Sequence, residues 1–77
     1  MANPILSSIG FIMKQSKDNK VDLGVAAAQI RDAVSKGEII GIDKGSIDKA
    51  EKFIHDNYKD CVKAFESGDL TGLEVSE

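Results

Sequence analysis

SIDKAEKFIHDNYKDCVKAFES, residues 46–67, decides how this chain folds. Ile47, Ala50, Ile54, Tyr58, Cys61 and Phe65 follow one another at steps of three or four residues, which lines them up on one side of an α-helix. Phe53, Val62 and Ala64 flank that stripe. The positions between are Asp48, Lys49, Glu51, Lys52, His55, Asp56, Lys59, Asp60, Lys63 and Glu66, so the opposite side is charged and solvated. Ser46 has the hydroxyl of an N-cap, Asp48 complements the positive helix start and Lys63 the negative end. Gly68 supplies a left-handed stop. The pattern predicts one helix over 46–67.

Upstream, Asn3-Pro4 is a helix start: Asn caps with its side chain, and Pro at the first helical position gives up only an N–H without a partner. A helix over 4–15 follows, with Ile5, Leu6, Ile9, Ile12 and Met13 on one side and Phe11 well off it. Ser16 to Lys20 is polar throughout and reads as a turn, after which Asp22 caps a helix over 23–36. Leu23, Ala26, Ala27, Ile30, Ala33 and Val34 form its stripe, Asp32 and Lys36 make an i,i+4 pair, and Gly37 stops it. Its alanines predict a shallow face and close approach of a neighbouring helix. Ile39, Ile40 and Ile42 sit among Gly37, Gly41 and Gly45. With no second strand to pair with, they read as an extended connector that plugs the end of a helical core. Residues 69–77 are expected to be a frayed acidic tail, with Leu70 packing at the end of the last helix.

The expectation is therefore an all-α domain of three helices spanning 1–77. A chain of 77 residues buries only about 60–65% of its unfolded surface, and domains this small usually need a staple or a partner. Cys61 is the only cysteine, so no internal disulfide exists, and its place on the apolar stripe suits a reducing compartment, the cytoplasm. The net charge is −3, with ten basic residues scattered among thirteen acidic ones, which disfavours nucleic acid. No charged region precedes the apolar start as in a secretory signal, and no window is apolar enough to span a bilayer.

Catalytic constellations are lacking. His55 and Cys61 are the only soft ligands and point to different sides of their helix, so neither a metal site nor a Cys–His nucleophile is expected. Asp56 to Asp60 begins like a calcium loop but lacks its glycine and lies within the helix. Gly41 to Ser46 has the wrong order for a phosphate-binding P-loop, leaving Lys44, Gly45, Ser46 and Lys49 as a generic anion site at a helix start. Gly45-Ser46-Ile47-Asp48 resembles, over four residues, the Asp-Ser-Leu attachment motif of acyl carrier proteins. Gly45 replaces the acid and Lys49 and Lys52 stand where such carriers show mostly acids, so no prosthetic-group attachment is inferred. A helix-turn-helix reading fails because the connector is long and Asp48, Glu51 and Asp56 would face phosphates.

Helix 1 carries more apolar surface than one stripe needs, and Ile5, Leu6, Ile9, Phe11, Ile12 and Met13 are the candidate partner or oligomer interface. The function expected is a non-catalytic protein-interaction module, a regulator, inhibitor or assembly subunit that self-associates through helix 1 and needs no cofactor. The alternative is a binding protein for a phosphorylated small molecule or nucleotide at Lys44, Gly45, Ser46 and Lys49. Membrane-surface attachment through helix 1 ranks third, since only Lys14 and Lys17 would meet anionic lipid.

Overall fold

Asn3 starts the first helix as its chemistry requires: Oδ1 accepts from the Ile5 and Leu6 N–H groups at 3.0 and 3.1 Å, with Pro4 in the first turn. The computed structural model describes residues 3–73 and 75. Within them the chain forms α1 (Pro4–Asn19), α2 (Leu23–Ser35), α3 (Lys44–Asp56) and α4 (Tyr58–Ser67), and no strand. The fold is all-α, as expected, but with four helices where three were expected.

Helix α1 runs one turn beyond residue 15. Ser16 to Asn19 contain no breaker, and Ser16 points inward, buried, with its hydroxyl donating to the Val21 carbonyl. The stop is Lys20, in the left-handed region at φ 55°. A polar run is therefore a helical turn here, because one of its members closes the junction to α2 from inside. Helix α2 begins at Asp22, whose carboxylate accepts from the Gly24 N–H at 3.0 Å. It ends in a Schellman motif: Glu38 N–H donates to Ala33 O at 2.9 Å and Gly37 N–H to Val34 O at 3.1 Å. Gly37 carries the positive φ of 75° that this geometry requires. Asp32, expected to pair with Lys36, meets Arg31 instead at 3.4 Å.

The connector plugs the core with two of its isoleucines. Ile39 and Ile42 pack against it, while Ile40 is 93% exposed. Asp43, not Ser46, then caps α3, its carboxylate accepting from the Ser46 N–H at 3.1 Å. The helix consequently starts two residues earlier than expected.

The largest correction lies at Asn57, where the single helix over 46–67 breaks in two. A straight helix over residues 44–67 would be about 36 Å long, longer than the 31 Å greatest extent of the whole Cα trace. With the bend, Cys61 lies fully buried in the core and Ala64 nearly so. Tyr58, expected on the buried stripe, stands at the bend and is exposed. Gly68 ends α4 with φ 74°, its N–H donating to Ala64 O at 2.9 Å.

The core joins Ile5, Ile9, Ile12 and Met13 of α1, Leu23, Ala26, Ala27 and Ile30 of α2, Ile47, Ala50 and Ile54 of α3, and Cys61 and Ala64 of α4. Helices α1, α2 and α3 pack against one another pairwise, and α4 lies at the side. Arg31 binds both Glu51 carboxylate oxygens at 3.0 and 3.1 Å, joining α2 to α3 and drawing Glu51 out of the solvated face where the sequence placed it. The segment expected to fray instead lays Leu70, Leu73 and Val75 against the core. Asn3 Nδ2 donates to the Val75 carbonyl at 3.1 Å. Glu74, Ser76 and Glu77 of that acidic tail lie outside the described residues.

Candidate interaction surface

Of the six residues assigned to an interface, four belong to the molecule's own core. Ile5, Ile9, Ile12 and Met13 are buried against α2 and α3 and offer nothing to a partner. This corrects the assignment of all six to an interface: most of the wide apolar girth of helix 1 is taken up because two helices flank it. Leu6 is half-buried, and Phe11 is 37% exposed. Those two are what the surface retains.

Phe11 does not stand alone. It lines an open depression of about 420 Å³ with Pro4 and Ser7 from α1, Gly41 and Ile42 from the connector, and Ser46 from α3. Gly41 sits at φ 95°, a conformation that side chains disfavour. Residues 11 and 46, which the sequence assigned to separate candidate sites, thus border one depression. Beside it Ile40 stands free on the connector.

The anion site is brought together only in part. Lys44, Gly45 and Lys49 are exposed and lie outside the depression's lining. The seat at the start of α3 is held by the Asp43 carboxylate, which accepts from the Ser46 N–H and, at 3.4 Å, from the Ser46 hydroxyl. A Cβ on Gly45 would stand 3.0 Å from that carboxylate, so Gly45 lets it settle against the helix. A phosphate arriving there meets a fixed negative charge. The geometry argues against this reading.

Two groups that the sequence read as a stripe residue and a helix cap meet at the bend. The Tyr58 hydroxyl donates to the Asp22 carboxylate, tying the start of α4 to the cap of α2. This bond is the first cause that lowers the Asp22 carboxyl below its ordinary 3.8, with the Gly24 N–H second. It also raises the Tyr58 phenol above its ordinary 10.0. A lowered carboxyl stabilises the fold above its unfolded value and loses that contribution as pH falls through the folded one. A raised phenol contributes below its unfolded value and loses that contribution as pH rises through the folded one. The bond is therefore expected to stabilise the fold between these two limits only. Urea titrations of wild type and Tyr58→Phe should differ at neutral pH and converge below 3.8 and above 10.0; a constant difference across that range would refute the assignment.

Cys61 is buried, and desolvation first, then Asp60, pushes its thiol above the ordinary value. A thiol held protonated and out of reach is a poor nucleophile. Among the described residues no group of three or more His, Cys, Asp or Glu side chains is placed to hold a metal ion, and no helix is long and apolar enough to cross a membrane. Compared with protein families, curated proteins and solved structures, the chain matches none.

Proposed function

We propose that this chain is a small non-catalytic protein-interaction module whose contact surface is Phe11, Leu6 and the connector at Ile40 to Ile42, with a second copy of itself as the first partner. The exposure of Phe11, which lines the open depression, and of Ile40, next in the chain to Gly41 of its lining, carries this reading. An aromatic and a β-branched side chain left in water beside an apolar hollow are the groups that interfaces bury. The symmetry that covers both copies most simply is two-fold. The buried, protonated Cys61 fits action in a reducing compartment, the cytoplasm.

Sedimentation equilibrium at high micromolar concentration tests this. Wild type is expected to sediment as a dimer or larger, and Phe11→Asp and Ile40→Asp as folded monomers, because neither residue enters the core. A monomeric wild type excludes self-association, and association that survives both substitutions removes these residues from the interface.

A further inference from the structure

The bend at Asn57 interrupts a helix whose sequence does not ask for interruption. Between Ser46 and Ser67 there is no Gly or Pro, and the apolar spacing continues through the break from Ile54 to Cys61. Across it the backbone bonds are Asn57 N–H to Phe53 O at 2.9 Å and Cys61 N–H to Asn57 O at 3.0 Å. The bonds from the Tyr58, Lys59 and Asp60 N–H groups to Ile54, His55 and Asp56 that a continuous helix makes are absent, and no side chain caps α4. Besides the local Asn57 Nδ2 to Phe53 O bond, what holds the bend is tertiary: the Tyr58–Asp22 bond, the burial of Cys61 and Ala64, and Leu70 over Gly10.

We propose that α4 exchanges between two copies of this chain: Asn57 becomes helical, α3 and α4 join into one helix, and α4 with Leu70 of each copy docks on α1 of the other. Straightening gains the missing backbone bonds but strips Cys61, Ala64 and Leu70 from their seat and leaves Gly10 and Met13 uncovered. A lone open chain would expose both halves of that contact. A second open copy offers each half its native complement, so the contacts of α4 with the rest of the molecule are remade between chains, and at the hinge the Asn57 Nδ2 to Phe53 O bond is exchanged for helical backbone bonds. Short hinges between well-packed elements favour this kind of exchange. The exchange is independent of the Phe11 surface, since neither Phe11 nor Ile40 takes part in it.

The test compares wild type, Asn57→Ala and a variant with Gly-Ser-Gly inserted after Asn57, each refolded from denaturant at millimolar concentration. Ala favours the straight helix and removes the Asn57 Nδ2 to Phe53 O bond of the bent form. The dimerisation constant is expected to rise about tenfold in Asn57→Ala, the Asn-to-Ala difference in helix propensity counted once per chain. In the Phe11→Asp background, where the Phe11 surface makes no dimer, the insertion is expected to return the protein to monomer, whereas Phe11→Asp without it is expected to keep the exchanged dimer intact. In a Phe11→Asp dimer of one isotope-labelled and one unlabelled chain, the nuclear Overhauser contact between Gly10 and the Leu70 methyls is expected between chains. A dimer in which that contact stays within one chain, or an Asn57→Ala variant no more dimeric than wild type, overturns the proposal.

Discussion

Ile54→Ala is expected to lower the free energy of unfolding by about 2–5 kcal/mol, the range for truncating a buried Ile, Leu or Met. Ile54 is 0% exposed and sits in the last turns of α3, where the core of α1, α2 and α3 meets the buried end of α4. Its truncation leaves a void that rigid neighbours on several elements cannot close. Small domains have little stability to lose, typically about 5–15 kcal/mol, so the variant should unfold at much lower urea. His55→Ala, one position on and exposed, should cost well under about 1 kcal/mol. Equal shifts of the two urea midpoints would mean that the faces of α3 are assigned wrongly.

Ala27→Leu is expected to destabilise the fold by about 1–3 kcal/mol for the opposite reason, too much volume. Ala26 and Ala27 of α2 and Ala50 of α3 are all fully buried, and α2 is wedged against both α1 and α3. Side chains this small are accommodated only where helix backbones come close, so a branched side chain must push the helices apart or leave its preferred rotamer. The Arg31–Glu51 bridge spans the same pair of helices at 3.0 Å. Separation should loosen it as well. Thermal unfolding followed by circular dichroism would measure the loss, and a Tm unchanged from wild type would show that the α2 face has room to spare.

Local chemistry was the legible part of this fold. Asn3, Asp22 and Gly68 act within a few residues of themselves, and each caps where the sequence placed it. Ser16 misled because its neighbours are polar, whereas its own role, an inward bond to Val21, depends on the path of the chain after Lys20. The break at Asn57 was illegible for a different reason. Periodicity passes through it unchanged, and the contacts that accompany it, the Tyr58–Asp22 bond and the burial of Cys61 and Ala64, reach other elements of the chain. In the candidate surface, Phe11 was legible as the residue off the apolar side of its helix. Whether Ile5, Ile9, Ile12 and Met13 face in or out depends on how many helices flank α1, which no single segment states. The Arg31–Glu51 and Tyr58–Asp22 pairs join residues 20 and 36 positions apart, and spacing within one helix carries no trace of them.

The bond from Asn3 to the Val75 carbonyl places the two ends of the described chain side by side. Topologically the molecule is nearly a ring, in which the order of the helices matters less than their adjacency. A circular permutant joined across that gap and opened at Gly41, in the exposed connector, keeps every helix and every cap intact, and in it α3 and α4 would be made before α1. Since Pro4 and Gly41 both border the Phe11 depression, a fusion at either end of the described residues and one at the permutant's new ends all arrive near the same surface, from opposite sides of the chain's path.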